Sequence, residues 1–137
     1  MSSPAVLDLP LPPSRERISW PALPGASAAL AIAEAAARHP GPVLALCSSE
    51  QQAYRLEEEL RFFAAPGLPV THLPDTEVLP YDAFSPHQEI LSARLAALDA
   101  LPRLTRGIVV TTADALIQRL PPRAWLEGRR FDIRVRD

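Results

Sequence analysis

Two short apolar runs constrain this chain more than anything else in it: Val43-Leu44-Ala45-Leu46-Cys47 and Ile108-Val109-Val110-Thr111-Thr112. Neither alternates with polar residues, so neither reads as a strand with one wet face. Continuous apolar runs of this length suit parallel strands covered on both sides. Parallel strands cannot be joined by a hairpin and need a crossover, usually a helix. The first run predicts a central parallel strand. The second, the most β-branched stretch of the chain, predicts another.

Helical signals fill the intervals. Residues 26–39 are rich in alanine, with only Glu34, Arg38 and His39 strongly polar, and Pro40-Gly41-Pro42 ends them. So small-sided a helix is expected to lie close against a sheet. Ser48 or Ser49 can cap a second helix that runs to about Ala64, because a serine hydroxyl accepts from the free N–H groups of the first turn. Ala53, Leu56, Leu60 and Phe63 share one face of it. Residues 68–73 predict a short third strand. Leu91, Leu95 and Leu98 form a helical stripe, widened by Ile90 and Leu101 and stopped by Pro102. Residues 113–120 predict a short helix before Pro121-Pro122. Residues 17–20 predict a first strand, and the alternation of Phe131-Asp132-Ile133-Arg134-Val135 predicts a last, half-exposed one. The order β-α-β-α-β-α-β-α-β implies a three-layer α/β fold, a mostly parallel sheet with helices on both faces. Residues 1–14, rich in proline and serine, are expected to be an extended or disordered arm, and residues 15–137 a single domain.

Charge and cysteine content narrow the function classes. The formal net charge is −2, so no global basic field exists to hold nucleic acid by counterion release. Arg119, Arg123, Arg129, Arg130, Arg134 and Arg136 gather late in the chain. They are expected to form a solvated edge, with a phosphate- or protein-facing patch as the alternative. Cys47 is the single cysteine, which excludes an internal disulfide and argues against a cysteine-based zinc site. Within an apolar run it reads as a strand thiol, not a nucleophile. No basic-then-apolar leader is present, and no apolar run reaches the roughly 18 residues of a membrane span. A cytoplasmic protein is expected.

A phosphate-binding loop needs G-x-x-x-x-G-K-[ST] between a strand and a helix. The corresponding place here is Leu23-Pro24-Gly25-Ala26-Ser27-Ala28-Ala29. Ala28 and Ala29 stand where lysine and a hydroxyl would be, so Gly25, Ala28 and Ala29 mark a degenerate loop and no nucleotide site is expected. His39, His72 and His87 are dispersed and match no zinc spacing, so structural or surface roles are expected. Asp75, Glu77 and Asp82 could gather for Mg²⁺ or acid–base work, but in a proline-rich loop such residues more often cap turns. Asp114 is best read as a first-turn carboxylate favoured by the helix dipole. Trp125 and Leu126 are expected to cover a core edge. No catalytic or metal-binding residue is expected.

The stretch from Leu73 to Ile90, L-P-D-T-E-V-L-P-Y-D-A-F-S-P-H-Q-E-I, is the most distinctive. Ser85, Pro86 and Gln88 make a capping-box helix start. Tyr81, Asp82, Phe84, Ser85 and Pro86, with Arg94 in the helix beyond, are expected to form a structural anchor, Asp82 accepting from backbone N–H groups or from Arg94. The stretch closely resembles the N-terminal region of bacterial transcription-repair coupling factors. That resemblance continues through the Arg106–Val110 strand and the Leu116–Arg119 helix.

The resemblance implies the first RecA-like subdomain of a UvrB-like module, cut before the next domain. It implies a P-loop NTPase-like fold without a functional phosphate loop. In UvrB a tyrosine-rich Y-D-Y-Y-Q-P stretch leads into a DNA-clamping hairpin. Here residues 81–86 resemble its start, but no residues remain for the hairpin, so weak or no DNA binding is expected. The full-length family members are expected to use ATP and Mg²⁺ in a motor lying elsewhere, to act on duplex DNA and stalled RNA polymerase, and to recruit UvrA for nucleotide excision repair. This region would scaffold neighbouring domains and the resting state. The alternative is a free-standing, nucleotide-dependent, helicase-like enzyme, which would need the missing loop.

Overall fold

The computed structural model describes residues 6–76 and 87–127. Three strands, β1 (Pro42–Cys47), β2 (Val70–Leu73) and β3 (Gly107–Thr112), form a parallel sheet in the order β1-β3-β2. The middle strand is therefore the last in sequence. All six of its residues are buried, as expected of a β-branched run covered on both faces.

One face carries α1 (Ser27–Arg38) and α2 (Glu50–Phe63). Ala29, Ala33 and Ala36 of α1 meet Ala53 and Leu60 of α2 over Ala45, Ile108 and Val110. Alanine methyls let the two helices and the sheet approach closely, which is why so short a chain can close a core here. The expected stripe on α2 forms: Ala53 and Leu60 are fully buried, and Leu56 and Phe63 pack beside them. Ser49 is the cap, its side chain accepting from the Gln52 N–H at 3.3 Å.

The second face carries α3 (Gln88–Ala100) and the 3₁₀ turn Leu101–Arg103 that follows it. Ala97 and Leu98 cover Leu73, joined by Leu101 and by Leu126 of α5 (Arg123–Glu127). Helices thus lie on both faces of a parallel sheet, as the sequence pattern implied.

Four expectations are corrected. Among the described residues the Val43–Cys47 run is an edge strand and not a central one. Leu44 and Leu46 are 55% and 58% exposed, while Ala45 between them is buried. By register Leu46, Thr111 and Leu73 share one row of the second face. α3 roofs the Leu73 end of that row and nothing among the described residues roofs the Leu46 end. The stripe on α3 is also rotated: Leu91 and Leu95 are exposed, and Arg94, Ala97 and Leu98 are the buried residues. The helix turns this way because Arg94 finds two backbone carbonyls to bond.

Residues 17–20 form no strand. Trp20 folds back so that its indole N–H donates to the Pro10 carbonyl at 3.0 Å, and Ile18 stays exposed. The prolines at 21 and 24 would interrupt any ladder there. Last, α4 (Ala113–Ile117) is shorter than residues 113–120, and Gln118 is already extended. The expected strand at 131–135 lies outside the described residues. So do Ser85 and Pro86; α3 begins at Gln88 with His87 in the cap position.

Candidate functional site

In parallel α/β sheets, ligands bind beyond the carboxyl ends of the strands. Here that edge lies beyond Cys47, Leu73 and Thr112, where α2 and α4 begin. Glu50, Tyr54 and Glu57 follow one another at i, i+4 and i+7 on α2, so they face one way, toward His72 at the end of β2. The His72 side chain is only 7% exposed. Its Nδ1 lies 3.0 Å from a Glu57 oxygen. Its Nε2 lies 3.1 Å from Glu50, at ion-pair distance but off the hydrogen-bond direction. The Tyr54 ring stands edge-on to the imidazole, centroids 4.7 Å apart.

The next loop is laced into the same cluster. The Asp75 N–H donates to Glu50 at 3.2 Å, and the Gln118 side-chain amide donates to the Asp75 carboxylate. Thr111 donates its hydroxyl to the Leu73 carbonyl at 2.8 Å. Arg94, 6% exposed, spans the layer, donating to the Pro74 carbonyl at 2.6 Å and the Ala115 carbonyl at 2.9 Å. Burial draws the pKa of its guanidinium down, and the carboxylates of Asp75 and Glu50 oppose that. Thr112 caps α4 by accepting from the Ala115 N–H at 3.1 Å.

The chemistry of this edge is acidic and inward-bonded. Glu50, Glu57 and Asp75 supply three carboxylates, and Arg94, the buried cation beside them, donates to carbonyls. A polyphosphate would meet negative charge where a nucleotide site supplies lysine and N–H groups. Among the described residues no group of three or more His, Cys, Asp or Glu side chains is arranged to hold a metal ion.

Cys47 sits half-buried at the end of β1. Burial, reinforced by the Glu50 charge, raises its thiol pKa above the ordinary 9.0. The folded chain thus keeps a proton that the unfolded chain loses first. Its stabilising contribution is full below the unfolded value and declines as pH rises through it. Urea midpoints at pH 7 and near pH 10 should therefore differ less in Cys47→Ala than in the parent chain. An equal difference in both would show that the thiol contributes nothing.

The other sequence candidates are scattered. Gly25 adopts φ +58° in the turn that leads into α1, and Ala29 is fully buried in the core beside Leu60 and Ile108. Ala28 is partly exposed. His39 closes the turn after α1 by accepting from the Gly41 N–H at 3.1 Å. His87 is exposed, 4.0 Å from Glu89. Asp114 lies exposed in the first turn of α4, Trp125 is 45% exposed, and Leu126 packs under α3. Arg119 and Arg123 are exposed; Arg129, Arg130, Arg134 and Arg136 lie outside the described residues. So do Glu77, Tyr81, Asp82 and Phe84. Sequence reasoning overlooked the His72 cluster, although the spacing of Glu50, Tyr54 and Glu57 could have signalled a shared polar face.

Over 106 residues, 77% of this chain, the sequence is 43% identical to the transcription-repair-coupling factor of Escherichia coli K12, and covers 9% of it. This chain is homologous to a short region of transcription-repair coupling factors. The Haemophilus influenzae coupling factor is 38% identical over 120 residues, 88% of the chain and 10% of the relative. The Mycobacterium tuberculosis coupling factor is 36% identical over 104 residues, 71% of the chain and 8% of the relative. The chain thus spans about a tenth of the length of these curated coupling factors. No protein-family model matches it. No helix among the described residues is long and apolar enough to cross a membrane.

Proposed function

We propose that this chain is the N-terminal, non-catalytic module of a cytoplasmic transcription-repair coupling factor, acting as a scaffold. The full protein would displace RNA polymerase stalled at DNA damage, translocate on duplex DNA with ATP and Mg²⁺ through a motor outside this region, and recruit UvrA. This region would hold the UvrA-recruiting domain and the resting state in place. The observation that carries the reading is the 43% identity over 106 residues to a coupling factor.

Two observations support the scaffold role. The edge where a nucleotide would bind is lined by carboxylates, and Ala29 is a core residue facing Ile108 and Leu60, so a hydroxyl there would enter apolar packing. The bare Leu44 and Leu46 row offers neighbouring domains an apolar seat. The stretch 79–84, with Tyr81, Asp82 and Phe84, would serve as an anchor and not as a DNA clamp.

Calorimetric titration with Mg·ATP should be flat, and micromolar binding would revive the helicase-like enzyme reading. Deleting this region from the full-length protein should raise its resting ATPase rate and expose UvrA binding. Unchanged values of both would remove the scaffold role. Submicromolar binding of damaged duplex at about 100 mM salt would overturn the DNA part.

A further inference from the structure

Among the described residues, strand β2 pairs with β3 on one side only. The Ile108 N–H donates to the Pro69 carbonyl at 2.8 Å. In a parallel ladder alternate residues bond the same neighbour. Thr71 therefore turns its backbone groups to β3, whereas Val70 and His72 point theirs away from the sheet. These outward groups form the floor of a cleft of about 360 Å³. Tyr54, Glu57 and Arg61 of α2 make one wall, and Ala93, Ala96 and Ala97 of α3 make the other.

We propose that this cleft receives an extended peptide segment of a partner protein, which adds to the sheet as a strand along Val70 and His72. The outward groups repeat every second residue, about 7 Å apart, which is the repeat of a strand. An added strand turns its side chains alternately to the two walls. The α3 wall presents methyl groups only, and exposed Ala93 and Ala96 leave room for aliphatic side chains. The α2 wall presents a phenol, a carboxylate and a guanidinium, which suit polar ones. The occupant is thus a segment that alternates aliphatic and polar residues, held by backbone hydrogen bonds and selected by side-chain pockets.

The walls also decide against a second copy of this chain. A sheet flanked by its own α2 and α3 would bring helix against helix before the two edges reached bonding distance, whereas a single strand enters freely. Pro69 and Pro74 bracket the edge, so pairing is confined to the short register between them.

The test is fluorescence anisotropy of the intact chain with a labelled, acetylated peptide alternating leucine and serine, followed by amide hydrogen exchange. Saturable binding is expected, with slowed exchange at Val70 and His72. Ala96→Arg fills the cleft from an exposed position, and Val70→Pro removes an outward donor without touching the ladder to β3. Each should weaken binding about tenfold or more, Ala96→Arg at unchanged melting temperature and Val70→Pro with some loss of stability because Val70 packs against the core, while Leu46→Ser, on the far strand, leaves binding unaltered. The proposal is overturned by absent saturable binding or by unchanged exchange at Val70 and His72. Affinity indifferent to both cleft variants, or a dimer that the peptide disrupts, would overturn it equally.

Discussion

Gly107→Ala should lower the melting temperature by roughly 10–20 °C, the largest loss expected from a single methyl in this chain. Gly107 opens the central strand at φ +146°, a conformation L side chains rarely adopt. A Cβ there would lie 2.8 Å from the Pro69 carbonyl oxygen, 2.9 Å from the Pro69 ring and 3.0 Å from Leu104. The nearest of these atoms is backbone, and that same carbonyl accepts from the Ile108 N–H. Relief of the clash therefore shifts β2 against β3. Backbone strain of about 1–3 kcal/mol adds to overpacking of about 1–3. Gly67→Ala separates the two, because Gly67 also has positive φ, at +83°, but open space around its Cβ. It should lose only the strain part. Thermal melts in which the two variants fall equally would dismiss the close approach as an energetic factor.

Arg94→Met is expected to cost about 2–5 kcal/mol in urea unfolding. Replacing a buried polar group by an apolar one of similar shape is nearly neutral when its partners can be replaced too. Here the partners are the backbone carbonyls of Pro74 and Ala115, which stay in place and lose their donors. Arg94→Lys should recover less than half of the loss, since one ammonium cannot reproduce a planar fork reaching two carbonyls on different elements. Full recovery by lysine would reduce the role of Arg94 to charge alone.

How much was legible in the sequence depends on what each signal measures. A β-branched run between glycine and a cap marked β3 correctly, because burial on both faces demands it. Val43 to Cys47 gave the same signal from an edge, since continuous apolarity says that a strand is to be covered and nothing of when or by what. On α3 the leucines were counted as the buried stripe, and Arg94 was assigned to the anchor of the preceding loop, with Asp82 as a partner. The helix obeyed the unsatisfied carbonyls at Pro74 and Ala115 instead, a demand that is invisible until the loops are placed. The alanines of α1 were legible as a close-packed helix because size alone decides that. The candidate site was the least legible part. His72 becomes a member only when β2 lies beside α2, and single-residue reading treats it as one of three unrelated histidines.

Of the three described strands, the middle one is the last to appear in the chain. β1 and β2 bond to β3 and not to each other, so among the described residues neither has its strand partner while only the first hundred residues exist. On a ribosome the alanine-rich helix and α2 can form locally, but the sheet must wait for residues 107–112 and then close in one step, with both outer strands docking on the newcomer. The loops to be closed are long, from β1 to β3 especially, which makes this a slow event for a small domain. Until it happens, Val43 to Cys47 remains an unpaired apolar segment. The emerging chain is most in need of shielding from its neighbours before its most stable strand has been made.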